Sequence, residues 1–251
     1  MSSTGTPFEV RELVPGALLG EVAGYVGAPA AATAAGIIVA RSSLGTAGRV
    51  LVAGLFVAVL LAVGFAVGDV EKRVVRLRSV MWFGAVLAWF ALVEILVFDV
   101  GGLGSRTGVV VASILATAGA GPVWWLCRRS LQQIAVFLSL VAVVIAIAFP
   151  TPSLSSFDTT TVGVLVWLLG LAWLILGARG LVLPRRTALV VGTITALLAP
   201  VYLLRTGSSI GGEVLGFVTA VGVFVAGGRF DDRAVEGLAI VGLAATSSAV
   251  V

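Results

Sequence analysis

The sequence contains no histidine. Without an imidazole there is no Ser/His nucleophile pair, no His-ligated haem, no His-based zinc protease motif and no histidine proton relay. Lysine is almost as scarce: Lys72 is the one lysine among 16 basic residues, and it stands in the run EKRVV. A P-loop needs glycine-rich backbone followed by Lys and then Ser or Thr, so this means of cradling phosphates is excluded as well. A single cysteine, Cys127, rules out an internal disulfide. Beside Arg128 and Arg129 it reads either as a small residue at a helix end or as a reactive thiol. Charge as a whole is thin, at 11% of residues against roughly a quarter in an ordinary soluble domain.

What is present is apolar sequence in long runs. Hydrophobic residues make up 59% of the 251 residues. They form stretches of about 16 to 20, which at 1.5 Å per helical residue match the ~30 Å hydrocarbon thickness of a bilayer. Neither the 3.6-residue period of a soluble helix nor the two-residue period of a barrel strand dominates. Nine stretches read as transmembrane helices: 22–40, 50–68, 79–98, 107–126, 134–149, 161–178, 187–204, 211–227 and 237–251. The expected fold is therefore an all-α, polytopic helix bundle over 22–251, after a short segment 1–21. The ninth run is short and ends in TSSAVV, so it reads as a full crossing or as a half-crossing or surface segment, which would leave eight. The opening MSSTGTPFEVRELVPG has neither the basic patch nor the apolar core of a signal peptide. No connection exceeds about 15 residues, too few for a soluble domain of the usual ~50 or more.

The basic residues follow topology. With nine crossings, one side holds 12 of them, from Arg11 and from the connections 69–78, 127–133, 179–186 and 228–236. The other side holds 4: Arg41, Arg49, Arg106 and Arg205. The positive-inside rule places the 12 and the N-terminus in the cytoplasm. Scattered among connections in this way, the net charge of +4 argues for the lipid bilayer as the partner and against nucleic acid. The connection DVEKRVVRLR carries enough positive charge to lie on anionic headgroups, besides setting topology. Trp82, Trp124 and Trp125 sit near that basic interface, whereas Trp89 and Trp167 fall near midspan and read as packing residues.

Acids inside spans are expensive and hence functional candidates. Glu94 stands four residues before the outer end of the third span, Asp99 follows that end, and Glu21 abuts the first span. Glu94 reads as interfacial or as a proton or cation acceptor in the outer half of a pathway. Small residues form two seams: Gly16, Gly20, Gly24 and Ala28 recur every four residues, and Gly163, Gly170 and Gly177 every seven. Such spacings let helix backbones approach closely in lipid, within the chain or between copies. Pro29, Pro122 and Pro200 lie in or near the ends of spans, where each removes a backbone donor. Two internal echoes, GEVAGYVGA with GEVLGFVTA and RTGVVVASILA with RTALVVGTITA, run in opposite directions across the membrane, as inverted transporter repeats do.

Three segments, GEVAGYVGA, TAGRVLVAGL and GGRFDDRAVEGLAIVGL, resemble predicted integral membrane proteins of unknown function from high-GC bacteria. The resemblance covers about a third of the chain and implies a multi-pass protein of the bacterial cytoplasmic membrane, with no functional residues to carry over. No constellation specifies a reaction or a cofactor. The expected role is a non-enzymatic structural or accessory component of a membrane assembly, in contact with itself or another membrane protein. The alternative is a permease or channel for a small solute.

Overall fold

The computed structural model describes residues 44–66, 72–148, 159–205, 209–230 and 233–248. These residues form eight helices and no strands: α1 Thr46–Ala66, α2 Lys72–Glu94, α3 Ser105–Cys127, α4 Ser130–Ala148, α5 Thr159–Ala178, α6 Arg185–Arg205, α7 Ser209–Phe230 and α8 Arg233–Ser248. A π-helical segment, Ile95–Val100, continues α2. An all-helical build is what a bilayer imposes, because a helix satisfies its backbone polar groups within the segment. Six helices, α1 to α6, are long and apolar enough to cross a membrane. In α7 the apolar stretch shortens to Gly212–Gly228, and α8 has 16 residues. The expected first span, 22–40, lies outside the described residues.

Several helices begin earlier than the apolar runs suggest. α2 starts at Lys72 and includes KRVVRLR, which the hydropathy pattern assigns to a connection. Lys and Arg are good helix formers, so the helix extends beyond its apolar part. α4 starts at Ser130, four residues before the apolar run, and takes Gln132 and Gln133 into its first turn.

Consecutive helices pack as neighbours, and α4 lies at the centre in contact with α2, α3, α5 and α6. The main core joins Val86 of α2, Ala120 of α3, Val136 and Phe137 of α4, Trp173 of α5 and Ala188 of α6. A second cluster joins Ala53 of α1 to Leu92 and Ile95, and a third joins Leu189, Val223, Val235 and Ala239 across α6, α7 and α8. The most extensive contact is α5 with α6. There a Cβ on Gly170 would stand 2.8 Å from the Ala196 backbone nitrogen, and one on Gly192 would stand 2.7 Å from that of Leu174. A Cβ on Gly163 would meet Leu203, and one on Gly177 would meet the Ala188 methyl at 2.7 Å. The glycines spaced by seven thus lie along the line where α5 touches α6.

Candidate functional site

Polar side chains of the described bundle gather at the end where α2, α4 and α6 begin and α3 and α5 finish. Gln132 and Gln133 are fully buried there. Gln132 Nε2 donates to the Ser79 carbonyl at 2.7 Å, and Ser79 Oγ donates to Gln132 Oε1 at 3.2 Å, which ties α4 to α2. With its amide oriented to satisfy both ends, Gln133 donates to the Pro184 carbonyl at 3.1 Å. Its oxygen accepts from the Ala188 N–H at 3.1 Å and from Trp173 Nε1 at 3.3 Å. Thr187 Oγ1 donates to Ser130 Oγ at 2.7 Å, and Trp124 Nε1 donates to the Leu183 carbonyl at 2.8 Å. Buried amides must find such partners, since an unmet donor or acceptor costs about 1 to 3 kcal/mol.

The connection from α3 to α4 is two residues long. Arg128 makes it possible by adopting the left-handed conformation (φ 47°, ψ 42°), and its N–H donates to the Trp124 carbonyl. This turn, residues 127–131, lines a cavity of about 480 Å³ with Ser79 and Val80 of α2 and Pro184 of the α5–α6 connection. Arg128 and Arg129 contribute positive charge, and none of the lining residues is acidic. Arg128 also stacks over the Trp125 ring at 5.1 Å, and Trp125 is 65% exposed. Arg78 lies over the Trp82 ring at 4.9 Å, with Trp82 buried against Phe65 of α1. Arg129 Nε is buried, with no hydrogen-bond partner among the described residues. Cys127 is half-buried in the cavity wall.

At the opposite end stand two of the acids singled out by the sequence. Asp99 lies in the π-helical segment and pairs with Arg49 of α1, Nη1 to Oδ2 at 3.0 Å, with the two side chains 30% and 34% exposed. The segment closes on the long bond from Gly101 N–H to the Leu96 carbonyl at 2.9 Å. Glu94, the last residue of α2, is exposed. The structure therefore brings Asp99 to Arg49 and leaves Glu94 on the outside of the bundle. Glu21 and the seam Gly16, Gly20 and Gly24 lie outside the described residues.

The midspan tryptophans are interhelical ties. Trp89 Nε1 of α2 donates to the Leu115 carbonyl of α3 at 3.0 Å, and a Cβ at Gly119 would overlap the Trp89 indole. Trp167 Nε1 of α5 donates at 3.0 Å to Thr219 Oγ1 of α7. Between α4, α5 and α6 an apolar cleft of about 350 Å³ opens beside Phe137, Gly163 and Tyr202.

The buried glutamine pair and the cavity beside it were not singled out from the sequence. The available signal was two adjacent glutamines, polar and uncharged, at the start of an apolar run. Adjacent polar residues there read as a connection because hydropathy averages over a window and does not register a partner on another helix. Comparison with known family models, curated proteins and solved structures yields no match for this chain.

Proposed function

We propose that this chain is a non-enzymatic accessory component of a membrane assembly, working in contact with itself or with another membrane protein. The observation that supports this reading most is the division of its polar groups. Among the described residues the buried polar side chains are uncharged, and Ser79, Gln132, Gln133, Ser139 and Thr219 all bond within the bundle. The guanidinium groups of Arg78, Arg128, Arg129, Arg179, Arg185 and Arg186 belong instead to one end, where a partner or the headgroup layer meets the helices. Such a bundle is a scaffold with a charged contact zone. In the same reading the chain crosses a bacterial cytoplasmic membrane nine times, with its N-terminus and its 12 basic residues inside. This fits the resemblance to uncharacterised membrane proteins of high-GC bacteria.

The test is purification in mild detergent at native abundance followed by mass spectrometry. A partner co-eluting at fixed ratio, or a defined homo-oligomer, is the expected result. The permease reading is favoured by the cleft beside Tyr202 and by α3 and α6 running through Pro122 and Pro200. Solute-specific flux by the isolated protein in proteoliposomes would establish that reading instead.

A further inference from the structure

Helix α1 is covered on one side only. Ala53, Leu60 and Gly64 turn into the bundle, and among the described residues α1 meets α2 and the π-helical segment. Its other side holds Leu51, Leu55 and Val59, which are 73%, 64% and 48% exposed. At the margin of that side, a Cβ on Gly54 would meet nothing among the described residues within 4 Å. Just before this helix the sequence holds the apolar run 22–40, which lies outside the described residues. Five residues, 41–45, join the two, and a connection this short sets consecutive helices side by side and antiparallel. The centre of the run, GAPAAATAAG over 27–36, contains none of the Leu, Ile, Val or Phe residues that gain most from lipid. Small residues favour close contact with another helix instead.

We propose that the exposed face of α1 is the docking site of the run 22–40, seated on it as an antiparallel helix. The inference rests on the reading of nine crossings, in which this run is the first. The connection sets the register: with Ala40 level with Thr46, equal rises of about 1.5 Å per residue keep level those residues that lie equally far from these two. Leu51, Leu55 and Val59 then stand level with Ala35, Ala31 and Gly27, so each large side chain of α1 faces a small one. In the adjoining row Gly54, Ala58 and Ala62 stand level with Ala32, Ala28 and Gly24, where the backbones can approach. Both rows advance by four residues, the ridge used in the commonest class of helix packing. Gly24 and Ala28 belong to the four-residue seam of the N-terminal segment, which thereby gains a partner within the chain. A second copy competes poorly for this face, because a short tether holds the run at an effective concentration of about millimolar. Docking here covers α1 and leaves an assembly partner to meet other helices.

Disulfide formation in native membranes tests this, in the full chain carrying Cys127→Ser so that introduced thiols alone react. Ala28→Cys with Ala58→Cys should close a disulfide within one chain, as should Gly24→Cys with Ala62→Cys, since each pair falls within the ~7 Å Cα separation that a disulfide spans. Ala28→Cys with Val57→Cys should form none, because Val57 packs against the cluster of Ala53, Leu92 and Ile95 on the covered side of α1. Ala58→Leu should abolish closure of the Gly24→Cys and Ala62→Cys pair by filling the space between the backbones. Where one pair fails to fold, the other decides. Disulfides between chains from Ala58→Cys alone would give the face to a second copy and overturn the proposal. No disulfide from a folded pair, or equal closure with Val57→Cys, would overturn it too. Impermeant maleimide at Ser3→Cys and Ser43→Cys separates this failure from that of the first crossing. Ends labelled from opposite sides, with no disulfide, overturn the docking alone; ends labelled from the same side overturn the crossing with it.

Discussion

A methyl group added at Gly170 of α5 would stand 2.8 Å from the Ala196 nitrogen and 3.1 Å from the Gly192 oxygen of α6. Both are backbone atoms that cannot rotate away, so the helices must part. Gly170→Ala should cost about 1 to 3 kcal/mol, the usual penalty of overpacking, read as earlier unfolding in mixed micelles. Gly222 of α7 has nothing among the described residues within 4 Å of such a methyl, so Gly222→Ala should instead gain about 0.5 to 1 kcal/mol of helix stability. At Arg128 the constraint is backbone conformation. Its left-handed φ of 47° suits glycine, so Arg128→Gly should keep the unfolding midpoint, whereas Arg128→Val should lose about 1 to 2 kcal/mol or more. The Arg49–Asp99 pair is open enough to solvent that a double-mutant cycle should return under about 1 kcal/mol.

Between helices, the ties are single polar side chains set in apolar surroundings. Gln132 links α4 to α2 by two hydrogen bonds with Ser79. Gln132→Leu should therefore destabilise the bundle by about 1 to 2 kcal/mol, close to what interhelical hydrogen bonds contribute in membranes. Thr193 of α6 is the contrasting case: it is fully buried and its hydroxyl has no partner among the described residues. Thr193→Val keeps the shape and removes the unmet group, so the same unfolding assay should show no loss or a gain of about 1 kcal/mol. The existence of α2 and α4 could be read from their apolar runs, but their first turns could not. The first turn of α2 belongs to the basic run KRVVRLR, and that of α4 is held by Ser79 and Pro184 on neighbouring segments. The seven-residue glycine spacing marks a close-packing face on α5; that α6 is what meets it follows only from the packing.

For the molecule as a whole, the decisive quantity is the number of crossings. The proposed nine crossings from a cytoplasmic N-terminus would place Val251 outside, so a reporter fused after it should be active in the periplasm; cytoplasmic activity there would sink the nine-span topology. The echo RTGVVVASILA and RTALVVGTITA begins at the second residue of α3 and of α6. α3 finishes and α6 begins beside the same cavity, so the two echoing segments run in opposite directions.

The class of fold was determined by the sequence alone. A run of nearly 20 apolar residues in lipid has no water to satisfy its backbone, and the helix is the solution that needs no partner. The scarcity of charge and the absence of histidine likewise narrowed the chemistry before any packing was known. Which faces meet was decided by tertiary structure, because in lipid the inward and outward faces are both apolar and the sequence lacks the polar contrast that orients a soluble helix. The histidine-free chain has its most distinctive polar site where Arg129, Ser79 and Pro184, contributed by three different segments, converge on one cavity. Residues 50 or more positions apart come together there only because α2, α4 and α6 begin at the same end of the bundle.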